Sequence, residues 1–194
     1  MTKYYLQDNQ RVIFLDELSS GIGPRYNIGA KVVIHNGLDE DRFCKAFEFV
    51  VCHADVFWLR FIFDRSELYQ RFDESLINSC RAVQLQVLDL SDSPTSKEDA
   101  EAYIKEWVNQ PFDIESPPLM RSYLIKLGED KYYFVSIVHH LVMDGWGYRL
   151  FLEYLFGYYH GRTVSCEKIG SYENILKRSE SVEKYFHMNQ FFHN

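Results

Sequence analysis

Basic charge is scarce in this 194-residue sequence. Its 21 lysines and arginines are outnumbered by 28 aspartates and glutamates, for a formal net charge of −7, and no long run of one sign occurs. A nucleic-acid surface needs a basic face or stripe, so that class of partner is argued against. The four cysteines (Cys44, Cys52, Cys80, Cys166) form no Cys-x-x-Cys pair and no ligand-like cluster, which removes the usual zinc and dithiol readings. Cys44 and Cys52 sit in an apolar helical pattern and are expected to be core thiols. A secretory h-region is missing too: Met1-Thr2-Lys3-Tyr4-Tyr5 leads into polar residues. No segment approaches a membrane span, so the expected setting is the reducing cytoplasm, with no membrane contact. Neither an internal repeat nor a low-complexity stretch occurs. What the chain does have is 46% hydrophobic and 16% aromatic residues, ample for the core of one domain or one lobe.

Periodicity places the elements. Leu6 to Leu18, with apolar Val12, Ile13 and Leu15, predicts a short opening helix, and Ser19 to Pro24 a loop. Tyr26 to His35 predicts a strand closed by Asn36-Gly37. Asp39 or Asp41 opens an amphipathic helix, because Phe43, Ala46, Phe47, Val50 and Val51 recur at helical spacing. Phe57–Phe63 and Ser66–Phe72 predict a hairpin about Asp64-Arg65. Ala82 to Leu88 predicts a strand with Val83, Leu85 and Val87 on one face. A second helix begins between Ser93 and Glu98, carries a stripe of Ala100, Tyr103, Ile104 and Trp107, and stops at Pro111; Pro117-Pro118 marks a bend. Met120–Leu127 and Lys131–Val138 form a hairpin across Gly-Glu-Asp. Gly147 to His160 is an aromatic-rich helix closed by Gly161, and Ser171 to Phe192 a charged helical tail. Antiparallel hairpins with helices between them predict an α+β fold, a two-layer sandwich on a largely antiparallel or mixed sheet.

The chemistry-bearing residues cluster in His139-His140-Leu141-Val142-Met143-Asp144-Gly145, directly after the apolar run Tyr132–Val138. Such a run reads as a buried strand, so the residues following it are fixed where the strand emerges. Neighbouring strand residues point to opposite faces, so the two histidines do different jobs. Histidine is the side chain best suited to proton transfer near neutrality. Each position also has a plainer use: a histidine can be a satisfied structural residue, and Asp-Gly is common turn chemistry. A metal held by one histidine and Asp144 would lack a third and fourth ligand at suitable spacing.

The run fits the pattern HHxxxDG and is followed by Trp146. Upstream stand Pro111-Phe112-Asp113, Pro118-Leu119-Met120-Arg121 and the Leu-Gly-Glu-Asp turn. On these residues the chain resembles the N-terminal lobe of a nonribosomal peptide synthetase condensation domain, whose lobes have the chloramphenicol-acetyltransferase-like fold. His53-Ala54-Asp55-Val56-Phe57-Trp58-Leu59-Arg60-Phe61 is similar to a diverged form of the family's HxDxLRxRF block. Gln10-Arg11-Val12-Ile13-Phe14-Leu15 resembles its opening AQxRxWFL block. The resemblance implies amide-bond formation in antibiotic or siderophore assembly. The amine of an acceptor aminoacyl group attacks the thioester of a donor acyl group, both carried on 4'-phosphopantetheine arms of upstream and downstream carrier domains. No cofactor of the domain's own is implied. His140 is then the histidine facing the reaction, as base or as a positioning group, while His139 supports the loop. Asp144 is implied to be architectural, paired with an arginine, for which Arg60 and Arg121 are candidates. Gly145 permits close backbone approach and an N–H toward the oxyanion. Trp146 and Tyr148 are expected to pack the following helix.

The sequence departs from the family in length. A condensation domain has two lobes with its site in a tunnel between them, and residues 1–194 correspond to the first. The expectation is a lobe that folds but condenses poorly without the second, with an apolar inner face prone to self-association. One alternative is a free-standing trimeric acyltransferase using coenzyme A, whose motif lies near its C-terminus, whereas about fifty residues follow it here. Another is a non-catalytic carrier-docking module. Epimerisation shares the central motif; cyclisation replaces it with an aspartate-rich form that this chain does not have.

Overall fold

The computed structural model describes residues 2–73, 75, 83–162, 169 and 171–178. Cys80, Cys166 and the tail beyond residue 178 lie outside the described residues, so the predicted helix from Ser171 is seen only over 172–178. In chain order the elements are β1 (Tyr4–Tyr5), α1 (Asp8–Ser20), β2 (Asn27–His35), α2 (Glu40–Cys52), β3 (Leu59–Asp64), β4 (Glu67–Phe72), β5 (Leu85–Asp89), α3 (Ser96–Val108), β6 (Met120–Gly128), β7 (Lys131–His139) and α4 (Gly145–Tyr159). A four-stranded sheet runs β2-β7-β6-β5, with only the β5–β6 pairing parallel; a three-stranded sheet runs β1-β4-β3. The mixed, mostly antiparallel α+β architecture expected from the hairpins is the one found.

The central strand is β7, flanked by β2 and β6 over nine paired positions on the β2 side. From Tyr132 to His139 every residue is buried, which is why the run is apolar throughout rather than alternating. Register sets what each face meets. Leu124 opposes Phe134, and Phe134 takes the rings of Phe43 and Phe47 from α2, at 5.3 and 6.2 Å between centroids. Phe47 also meets Phe151 of α4, so α2 and α4 cover this face together. Tyr123 opposes Val135 on the other face, where Trp107 of α3 stacks on Tyr123 at 3.6 Å. There the chain is close enough that a Cβ on Gly29 would lie 3.0 Å from Val108, so β2 carries glycine at the point where α3 crosses it.

The α2 prediction holds residue by residue: Asp39 caps the helix through the Arg42 N–H, and Phe43, Ala46, Phe47, Val50 and Val51 are all buried. Cys44 and Cys52 are only half-buried, on the flank of that stripe rather than in the core. The β3–β4 hairpin forms about Arg65 and Ser66, both at positive φ, after residues 55–58 coil into a 3₁₀ turn instead of extending the strand. Strand β5 is a sheet edge, and of Val83, Leu85 and Val87, expected on one face, Val83 is buried while Val87 is 49% exposed.

Helix α1 forms, as its apolar positions suggested, with Ile13 packed against the core, but Val12 and Leu15 do not face inward. It buries Gln10, Phe14 and Glu17 and leaves Val12 67% exposed, with Leu15 and Leu18 outward too. The polar residues go inside because partners wait for them. Gln10 exchanges hydrogen bonds with Gln70 of β4 and donates to the Leu141 carbonyl oxygen at 2.9 Å. Glu17 accepts from the Gly23 N–H at 3.2 Å.

Candidate active site

Strand β7 ends at His139, and the five residues 140–144 turn the chain into α4. The turn closes with the Val142 N–H donating to the His139 carbonyl oxygen at 3.0 Å. It is pinned at both sides: the His139 N–H donates to the Leu119 carbonyl oxygen and the His140 N–H to that of Tyr26, at 3.0 and 2.8 Å. Backbone bonds to two neighbouring chain segments thus fix where His140 stands, while its side chain is exposed. A histidine held this way has a set position and access to solvent at once.

His139 is the opposite case, 1% exposed. Its ring lies among Tyr26 and Phe112, with centroids at 6.1 and 6.2 Å. Nδ1 accepts from the Leu141 N–H at 3.2 Å, and Nε2 lies 3.8 Å from Glu17 Oε1, also buried. Burial first, and the neighbouring His140 second, lower its pKa from 6.5 to about 4, so the ring is neutral near pH 7. Burial likewise raises the Glu17 carboxyl, against the lowering effect of the Gly23 N–H and of Arg25.

Asp144 begins α4. Its Oδ1 accepts from the Gly147 N–H at 2.7 Å, an N-cap bond, and its carbonyl oxygen accepts from the Tyr148 N–H. Neither candidate arginine pairs with it. Arg60 pairs with Asp73, and Arg121 donates to Gln110 while its guanidinium lies 4.0 Å over the Phe112 ring. The aspartate is exposed and spends its charge on the helix terminus, where the backbone dipole favours an anion. Replacing Asp144 by alanine is expected to cost about 1 kcal/mol in chemical denaturation, and by asparagine only a few tenths, since asparagine caps as well. An asparagine variant as unstable as the alanine one would point back to an ion pair.

Gly145 is the first residue of α4. It has no positive φ, and a Cβ there would meet nothing within 4 Å, so packing does not require glycine. The open space leaves room for a ligand against the backbone. Trp146 is 64% exposed with Arg149 5.2 Å over its ring, rather than packed under the helix. Tyr148 is buried and hydrogen-bonds Ser136 Oγ at 2.6 Å, tying α4 to β7. Behind the turn, an apolar cavity of about 190 Å³ is lined by Phe57, Met143, Phe151 and Tyr172 among others. Asp55 sits beside it and accepts from Ser171 Oγ and the N–H groups of Tyr172 and Glu173, capping helical residues 172–178.

The structure therefore places His139, His140, Asp144 and Gly145 within one strand–turn–helix junction. Two residues missed by pattern reasoning belong beside them. Gln10 lay in a block already singled out, but Glu17 carried no signal, because a polar residue buried by tertiary closure looks like any helix-surface glutamate.

Three comparisons bear on this junction. The family model for the condensation domain matches residues 1–189. Tyrocidine synthase 3 of Brevibacillus parabrevis is 30% identical over 160 residues, which are 82% of this chain and 2% of that protein. The dimodular nonribosomal peptide synthase of Bacillus subtilis (strain 168) is 26% identical over 192 residues, 94% of this chain and 8% of that one. Among solved structures, the starter condensation domain of rhizomide synthetase RzmA superposes with a TM-score of 0.82 at 26% identity, over 94% of this chain and 44% of that one. The chain thus spans under half of that structure and a small part of each synthetase.

Proposed function

Because this chain belongs to the condensation-domain family, we propose that it supplies the histidine-bearing half of an amide-forming site. The acceptor amine attacks the donor thioester carbonyl, a C–N bond forms, and the pantetheine thiol leaves. Both substrates come on carrier-borne phosphopantetheine arms. The observation that carries the reading is the division of labour between adjacent histidines: His140 exposed on a turn pinned by backbone bonds, His139 buried and neutral beneath it. A purely structural turn has no use for an exposed imidazole on so rigid a mount.

In this reading His140 receives or orients the amine proton, and the amides opening α4 at Gly145 face the developing oxyanion. Much of the acceleration comes from holding amine and thioester within reach of each other, which itself can supply several kcal/mol. That task needs a second wall. The 44% coverage of the solved domain supports assigning this chain to the N-terminal lobe, with the other lobe completing the tunnel. The chain alone is therefore expected to be inactive.

The test is amide formation from carrier-bound donor and acceptor, followed by mass spectrometry, with this chain alone and within the complete domain. Product from the complete domain only supports the assignment; near-equal rates from the chain alone would refute the two-lobe requirement. Light scattering on the purified chain supplies a second check. A monomer, or a weak concentration-dependent dimer, is expected. A tight trimer turning over acyl-coenzyme A would instead support a self-contained acyltransferase.

A further inference from the structure

The Leu141 peptide, between His140 and the rest of the motif, is held from both ends by side chains. Its carbonyl oxygen accepts from Gln10 Nε2 of α1, and its N–H donates to His139 Nδ1. A backbone N–H can only donate, so Nδ1 must present a lone pair, and neutral His139 then carries its proton on Nε2. That proton points into the interior, where Glu17 Oε1 lies 3.8 Å from Nε2. The same carboxylate oxygen is buried with no hydrogen-bond partner, while Oε2 is held by the Gly23 N–H. A buried acceptor without a hydrogen bond thus faces the imidazole N–H at slightly more than hydrogen-bond distance.

We infer that Glu17 is a positioning residue for the motif. Its Oε1 holds the Nε2–H of His139, which keeps Nδ1 bare as the acceptor that sets the Leu141 peptide and the turn carrying His140. The consequence for catalysis rests on the proposed role of His140; the geometry of the lock does not. Helix α1 then grips the turn at two points, directly through Gln10 and through the imidazole by way of Glu17. This explains why its inner face is polar at both positions. The groups facing the ring are Glu17 from α1, Tyr26 ahead of β2, and His140 next in the chain. A proton added at Nδ1 would meet the Leu141 N–H head on, so the lock holds only while the ring is neutral.

Long-range ¹H–¹⁵N correlation spectra of the purified chain test this without any substrate. His139 should show a protonated Nε2 and a bare Nδ1, unchanged from pH 8 to pH 5. Glu17→Gln keeps an acceptor oxygen and should retain that pattern. Glu17→Leu removes the acceptor and should mix the tautomers, with Leu141 amide exchange at least ~10-fold faster. A wild-type ring protonated on Nδ1 overturns the inference, and that reading needs no destabilised variant. So would a Glu17→Leu chain with the ring pattern and Leu141 exchange both unaltered. In the complete domain Glu17→Leu should lower kcat with KM little changed, and Glu17→Gln should recover most of it. Condensation that survives loss of the His140 imidazole would sink the functional reading yet leave the ring spectrum as evidence for the lock.

Discussion

With His140 replaced by alanine, amide formation by the complete domain is expected to fall by about 10²- to 10⁴-fold, the span that a positioned acid–base group supplies. Stability should change by no more than about 0.5 kcal/mol, because the ring is exposed and the bonds that place the turn come from the backbone. The two readouts together make the result specific: a variant that unfolds easily says nothing about chemistry, and one that folds well but does not condense does. His140→Gln separates the two roles open to the imidazole. Glutamine can still hydrogen-bond an amine but cannot take its proton, so a glutamine variant near wild-type rate means orientation, and one as slow as alanine means proton transfer. Full activity in the alanine variant would remove His140 from the reaction.

Acid should destabilise the chain through His139. The unfolded imidazole takes a proton near 6.5, the buried one only near 4, so between those values the unfolded state binds more protons and stability falls as pH falls. The stabilisation is complete above pH 6.5 and gone below pH 4, a loss of about 3 kcal/mol at 1.36 kcal/mol per pH unit. Glu17 acts in the opposite direction: its raised folded pKa favours the folded state as pH drops toward 4.5, so it offsets part of the loss at the acid end. Guanidinium unfolding from pH 4 to pH 8 measures the slope. His139→Asn offers an acceptor to Leu141 but nothing to titrate, so its profile should be flatter by about the same 3 kcal/mol. Parallel profiles would mean that His139 is not the group responsible.

The parts of this fold that could be read from residues alone were those where apolar spacing and burial coincide. The five inward residues of α2 and the continuous run of β7 are set by the hydrophobic effect acting on local periodicity, and both came out as expected. The turn motif was equally plain, since its residues lie within seven positions. What could not be read were choices made by tertiary closure. Helix α1 buries Phe14 yet turns Val12, Leu15 and Leu18 outward, with Gln10 and Glu17 inside, where Gln10 meets Gln70 and the Leu141 carbonyl oxygen and Glu17 the Gly23 N–H. Val87 was expected to share a face with Val83, yet Val83 is buried and Val87 lies exposed on an edge strand. Asp144 was expected to pair with Arg60 or Arg121, whereas both are engaged elsewhere and its carboxylate accepts from the Gly147 N–H three residues on. For α1 and for Asp144 the deciding partner is polar, and periodicity carries no record of polar partners.

The two-point hold of α1 on the Leu141 peptide has a practical consequence for anyone recombining synthetase modules. Gln10 and Glu17 are seven residues apart on one helix and act on a peptide more than 120 residues later. A chimaera joined between positions 10 and 17 would take one grip from each parent and set the turn that carries His140 with mismatched hands. Junctions are safer upstream of residue 7, where the whole helix travels with the loop it holds.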